Sequence, residues 1–136
     1  MRFAAVIGHK SVKEKLTATA REGRVSHAQL FLGPEGAGNL AMALAYAQFL
    51  VCENREAADS CGTCPACVKM SRMVHPDVSY SYPVAGKEKI KNPKSVDFVE
   101  EWRKAVTDNP YLGYAEWVEQ LDIENKQGLI SVDEAA

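Results

Sequence analysis

Apolar positions along the chain fall into two rhythms. Val12, Leu16 and Thr19/Ala20 recur at helical spacing behind Ser11-Val12-Lys13-Glu14. That tetrapeptide reads as a capping box, in which the Ser and Glu side chains each serve a free backbone N–H. Gly23 is a natural C-terminal stop for the helix. Ala28 to Leu32 is a short apolar run between a polar stretch and a glycine, the pattern of a strand buried on both faces of a parallel sheet. Asn39 to Val51 is rich in Ala and Leu and free of Gly and Pro, which predicts a helix. Strand, glycine turn and helix together open a parallel α/β unit.

Val68 to Met73 predicts a short helix that closes before His75-Pro76-Asp77. Val78 to Pro93 alternates aromatic and polar residues and then turns basic at Lys87, Lys89, Lys91 and Lys94. The expectation there is a strand followed by a mobile loop. Ser95 is placed to cap a helix reaching about Asp108, with Phe98, Val99, Trp102 and Val106 on one side. Asn109-Pro110 ends it, and a shorter helix is expected over Ala115 to Leu121. Leu129-Ile130 reads as extended, and Ser131-Val132-Asp133-Glu134 is a second capping box. Only Ala135 and Ala136 follow this start signal, so the sequence reads as a fragment of a longer protein.

The 136 residues fit one domain with a real core. Apolar residues make up 46% and charged residues 25%, ordinary values for a globular protein. A net charge of −2 gives no whole-chain field that would attract nucleic acid or an acidic membrane. No segment approaches the roughly 20 apolar residues needed to cross a bilayer. Leu40 to Val51 is too short and carries Gln48. No membrane partner and a cytoplasmic location are therefore expected.

Gly33-Pro34-Glu35-Gly36-Ala37-Gly38 has the GxxxxG spacing of a phosphate-binding loop, set between the predicted strand and helix. Glycines let backbone N–H groups face a phosphate at a helix N-terminus. A working loop continues with Lys, which meets the β- and γ-phosphates, and then with Ser or Thr, whose hydroxyl holds Mg²⁺. Here those positions are Asn39 and Leu40. A neutral amide and a hydrocarbon handle neither charge nor metal, so ATP binding and hydrolysis are not expected. Gly33, Gly36, Gly38 and Asn39 remain the candidate residues of a degenerate phosphate loop, beside the plainer reading of a glycine turn.

All four cysteines, Cys52, Cys61, Cys64 and Cys67, fall in one C-x8-C-x2-C-x2-C block. In a reducing compartment such a block reads as metal binding or redox chemistry before it reads as disulfides. Two short steps let thiolates converge on one ion, and the longer connection completes a tetrahedron, which points to a closed structural zinc site. An iron–sulfur cluster, a redox dithiol and four free thiols stay open beside it. His75 is read as a turn residue, and no chemistry is assigned to His9 or His27. The Trp and Tyr residues from Trp102 to Trp117 are read as core or interface. The lysine run from Lys87 to Lys94 is read as a solvated loop.

Taken together, several stretches resemble the delta-prime subunits of the bacterial DNA polymerase III clamp loader. They are Val6-Ile7-Gly8-His9, Ser26 to Gly36, Ala45-Tyr46-Ala47, Cys52, Cys61 to Cys67 and His75-Pro76-Asp77. The resemblance implies an AAA+ fold over residues 1–136: an α/β phosphate-loop domain whose parallel sheet is truncated at the C-terminus. It also implies a zinc module inserted at about residues 52–67, while the stretch from about 79 to 128 is left as an unassigned insertion. Asn39 and Leu40 favour delta-prime over the ATP-hydrolysing gamma/tau subunits, which keep Lys and Thr. The implied role is a non-catalytic stator whose partners are the gamma/tau and delta subunits and, through the assembled complex, the sliding clamp and primed DNA. The Walker B strand, arginine finger, lid and collar are expected beyond residue 136. Two other readings stand beside this one, an ATP-hydrolysing gamma/tau-like subunit and a zinc-binding interaction adaptor.

Overall fold

The computed structural model describes residues 1–87, 90–123 and 126–135. The chain divides into two units, Met1–Val78 and Ser79–Ala136.

The first unit is organised around a helix that is apolar on nearly every side. After a 3-10 turn at Phe3–Ala5, α1 spans Lys10–Arg21, α2 spans Asn39–Val51 and α3 spans Pro65–Ser71. Ala41, Met42, Leu44, Ala45, Tyr46, Gln48 and Phe49 of α2 are all buried. A helix with so broad an apolar surface must be wrapped by neighbours, and α1, α3 and the 3-10 turn supply them. The α2 boundaries match the sequence expectation, because Gly38 at φ 87° ends the loop in a conformation that favours glycine.

α1 starts one residue before the predicted cap. His9, at φ 55°, takes the N-cap position without a side-chain bond of its own, so Ser11 lies inside the helix and caps nothing. The reason is that the His9 ring is recruited elsewhere, with Nε2 2.8 Å from the Ala37 carbonyl oxygen. The buried face is correspondingly rotated. Thr17 and Ala20 are buried, whereas Val12 is exposed. Gly23 ends the helix as expected. At φ 69° it allows Arg24 N to donate to Thr19 O (2.9 Å) and its own N–H to Ala20 O (3.2 Å), the paired bonds of a Schellman motif.

The described residues contain no strand, only isolated antiparallel bridges at Val84–Leu129 and Lys87–Ile90. The strand expected at Ala28 to Leu32 leads into the glycine loop without a ladder. Phe31 packs on Tyr46, with ring centroids 6.2 Å apart. Leu30 and Leu32, in contrast, are 84% and 85% exposed. A parallel strand needs a partner from elsewhere in the sequence, and none of the described residues supplies one. The expected parallel sheet is therefore not formed by them. The strand expected from Val78 is likewise reduced to the Val84 bridge, which Leu129 completes.

α3 begins earlier than predicted, at Pro65, because Cys64 is its N-cap and Pro65 occupies the first helical position, where a missing N–H costs nothing. His75 behaves as the expected turn residue, its Nδ1 accepting from Asp77 N at 3.2 Å.

The second unit holds a 3-10 turn at Ser95–Phe98, α4 at Val99–Asp108, α5 at Tyr114–Gln120 and α6 at Val132–Ala135. Its core is aromatic. Tyr82 stacks on Trp102 at 4.2 Å, and Trp117 meets both edge-on at 5.2 and 5.1 Å. Ser95 does not cap the helix. Its hydroxyl is buried, donating to Tyr82 O (3.2 Å) and accepting from Tyr82 N (3.0 Å). Asp97 caps the turn instead, accepting from Lys94 N at 2.9 Å. The second capping box is also redirected. Glu134 accepts from Ser95 N at 2.7 Å, and the Ser131 hydroxyl has no partner among the described residues. In the lysine run, the Lys87 ammonium sits 5.7 Å from the Phe98 ring centre, Lys91 is exposed, and Lys89 lies outside the described residues.

Candidate metal centre and glycine loop

The four cysteines, 15 residues apart from first to last, are brought to one point. Cys52 ends α2, Cys61 and Cys64 lie on a tight turn, and Cys67 sits in the first turn of α3. Gly62 holds φ 78° between the ligand candidates, a conformation that favours glycine. The four Sγ atoms all lie within 4.8 Å of one another. Cys52 to Cys61 is 3.6 Å and Cys61 to Cys67 is 4.0 Å. Thiolates about 2.3 Å from one tetrahedral ion are separated by about 3.8 Å, so the group fits a metal of that geometry.

The backbone supports the same arrangement. Cys61 N donates to Cys52 Sγ (3.3 Å), Cys64 N to Cys61 Sγ (3.3 Å) and Cys67 N to Cys64 Sγ (3.4 Å). Each N–H favours the anionic sulfur that a metal requires. Backbone N–H groups of Thr63 and Cys64 bring the Cys61 thiol down to about 6. Burial pushes the Cys67 thiol up to about 12 and raises Cys52. At Cys64 burial opposes ionisation, but N–H groups of Cys67 and Glu53 win and the pKa is lowered. Cys52, Cys64 and Cys67 are buried and Cys61 is half-buried.

The sign of the pH effect follows for the metal-free chain. Cys61 has its pKa below the ordinary thiol value, so its thiolate stabilises the fold fully above that ordinary value. The contribution is lost as pH falls through about 6. With metal removed, iodoacetamide at pH 7 is expected to label Cys61 well before Cys67, as read by peptide mass spectrometry. Equal labelling of the two would contradict this picture.

The glycine loop keeps part of the expected shape. Gly36 and Gly38 take φ 77° and 87°, and Ala37 N closes a turn on Pro34 O at 3.1 Å. Asn39 does not face outward from the loop. Its Nδ2 donates to Gly33 O at 3.1 Å, folding the amide back on the loop's own first residue. A Cβ at Gly33 would lie 2.6 Å from Asn39 Oδ1, so a larger residue there would have to displace the Asn39 amide. Beside the loop runs a cleft of about 600 Å³, walled by α1 residues such as Val12 and Lys15, by Leu30 and Leu32, and by Gly38 and Asn39. The four loop candidates, Gly33, Gly36, Gly38 and Asn39, are thus gathered at the N-terminus of α2, and the cysteines form a separate cluster.

Sequence reasoning missed Asp59. It is buried on the loop before Cys61 and accepts from Phe3 N and Ala4 N, each at 2.9 Å, and from Ser60 N at 2.8 Å. A single Asp among exposed polar residues carries no pattern that would single it out.

A family model described as DNA polymerase III, delta subunit, matches residues 8–118. The DNA polymerase III subunit delta′ of Escherichia coli is 36% identical over 107 residues, covering 77% of this chain and 31% of that protein. The delta′ subunit of Pseudomonas aeruginosa is 37% identical over 93 residues, covering 67% of this chain and 27% of that protein. A gamma/tau subunit of Mycobacterium tuberculosis is 38% identical over 69 residues, covering 51% of this chain and 12% of that protein. The chain therefore spans about a third or less of the length of these relatives. No solved structure gives a significant match. The matches support a clamp-loader AAA+ domain in which four neighbouring cysteines could hold a metal ion. Matched over most of its length, the chain belongs to the DNA polymerase III delta-subunit family.

Proposed function

We propose that residues 1–136 form the N-terminal part of a delta-prime-type clamp-loader subunit, a non-catalytic stator that helps load the sliding clamp onto DNA. The observation that carries this reading is the glycine loop. Asn39 stands where a phosphate-binding lysine would, and its amide is bonded back to Gly33 O. Leu40 follows where a Mg²⁺-binding hydroxyl would stand. Without a positive charge and a metal ligand, the loop lacks the groups that stabilise phosphoryl transfer.

The four thiol groups suit a structural zinc ion, with Cys52, Cys61, Cys64 and Cys67 as the ligands. Zinc there would supply a tetrahedral cross-link and no chemistry. The residues pin the end of α2 to the start of α3 across a loop that is exposed from Glu53 to Ala58. In this reading the metal module spans about 52–67, and about 79–128 is an insertion. The exposed Leu30 and Leu32 are the faces that a completed parallel sheet would bury. The partners are gamma/tau- and delta-type subunits, and through them the clamp and primed DNA. The compartment is the cytoplasm. No helix among the described residues is long and apolar enough to cross a membrane.

Reconstitution tests the role. The full-length protein alone should hydrolyse no ATP above a protein-free blank, yet omitting it from a complex of its gamma/tau- and delta-type partners should abolish clamp loading on primed DNA. Hydrolysis by the isolated protein, or loading that proceeds without it, would contradict the proposal.

A further inference from the structure

The loop that carries the cysteines also grips the start of the chain. Asp59, 7% exposed, spends both carboxylate oxygens on the 3-10 turn at Phe3–Ala5, one on Phe3 N and the other on Ala4 N. Its backbone carbonyl accepts from Glu56 N at 2.8 Å, which closes the loop on itself. Arg2 reaches across to the same loop, with Nη2 3.0 Å from Glu56 Oε2 and Nε 3.6 Å from Asp59 Oδ2. A second tie runs through buried Gln48. The Met1 amine donates to Gln48 Oε1 at 2.6 Å, and Gln48 Nε2 donates to Ser60 Oγ at 3.0 Å. Gly62, between two of the cysteines, lies against Arg2, since a Cβ there would be 3.0 Å from Arg2 Cδ.

Beyond those bonds the loop is held by arginine contacts: Arg55 Nε donates to Phe49 O at 2.8 Å, its guanidinium lies 5.3 Å from the Phe49 ring centre, and Arg21 Nη2 donates to Glu56 O. Residues Glu53 to Ala58 are all exposed and offer no large apolar side chain. Its two ends are fixed by Cys52 and by Cys61. A segment held by polar ties with so little apolar burial offsets its ordering entropy only in part, so the position of Asp59 depends also on what joins those ends. A metal on the four thiolates would join them.

We infer that the cysteine loop is a clamp on the N-terminal segment: metal at Cys52, Cys61, Cys64 and Cys67 holds Asp59 in place, and Asp59 in turn orders Phe3 and Ala4. Asp59 is a positioning residue, acting through the backbone of the 3-10 turn and not as a ligand. The inference rests on the metal reading above, and its test separates the two.

The test is amide hydrogen exchange, read by NMR on the full-length protein, with zinc content measured on the same samples. Chelation of the wild type is expected to speed exchange at Phe3 and Ala4 by about tenfold or more, the scale of losing one charge-assisted hydrogen bond. Amides in the middle of α2, such as Ala45, should stay protected. Asp59→Asn should keep one zinc per chain yet show the same acceleration at Phe3 and Ala4, because an amide cannot replace both acceptor oxygens. A protein purified without metal would overturn the metal reading and this inference together. Metal-loaded protein in which chelation frees residues 56–61 while Phe3 and Ala4 stay protected would overturn the inference alone. Should α2 open together with the turn on chelation, the Asp59→Asn arm decides: unchanged exchange at Phe3 and Ala4 in that zinc-loaded variant would also overturn it.

Discussion

Replacing Cys67 by serine is expected to strip bound zinc from the full-length protein and to lower its melting temperature to that of the chelated wild type. Cys67 is 1% exposed, and its sulfur lies 4.0 Å from that of Cys61. A serine hydroxyl does not ionise near neutrality and is a poor partner for a soft tetrahedral site. The loss also leaves Cys52, Cys61 and Cys64 with an incomplete set of donors. For free metal a thousandfold above its Kd, the stabilisation forfeited is about 4 kcal/mol. Metal analysis and a thermal melt with and without chelator check this together. A Cys67→Ser protein that retains one zinc per chain, or a wild type whose melt ignores chelation, would show that the cluster is not a structural metal site.

Trp117→Ala should cost the second unit about 3–5 kcal/mol, the range for truncating a buried tryptophan. The side chain is 2% exposed and packs edge-on to both Tyr82 and Trp102. Its Nε1 donates to Pro83 O at 2.8 Å, so alanine leaves both a cavity and an unpaired carbonyl. Trp117→Phe is the milder truncation. It keeps an aromatic ring against the pair but loses the indole's second ring with its N–H, for an expected cost of about 1–3 kcal/mol. Denaturant unfolding followed by the Trp102 fluorescence that remains would measure both. A cost below about 1 kcal/mol for the alanine variant would mean that this core relaxes around the gap.

The sequence exposes some of this architecture and conceals the rest for identifiable reasons. Helix α2 was legible end to end, since thirteen residues without Gly or Pro follow a glycine that must end the loop. The cysteine cluster was legible because ligand spacing is a local pattern, and the fold brings the four sulfurs together. Caps are less legible. Ser11, Ser95 and Ser131 each stand in a capping pattern, yet none of them caps. His9 is held by Ala37 and takes the helix start, Ser95 is spent on Tyr82, and Glu134 is drawn to Ser95. A capping pattern records which side chains are present, not which distant group recruits them. The strand at Ala28 to Leu32 fails for a related reason, since a strand is defined by its partner and the described residues offer none. Asp59 was invisible because its acceptor role depends on Phe3 and Ala4, more than fifty residues earlier.

On the proposed reading, Asn39 and Leu40 leave the glycine loop without the charge and the hydroxyl that a nucleoside triphosphate with its metal needs. The most direct test is calorimetric titration of Mg-ATP into the full-length protein, beside an Asn39→Lys/Leu40→Thr double variant. No detectable binding heat is expected for the natural loop, with binding appearing in the variant once a charge and a metal-binding hydroxyl are restored. Binding by the natural protein with a Kd of about 1 μM, or about −8 kcal/mol, would contradict that reading and make the subunit a nucleotide-binding one.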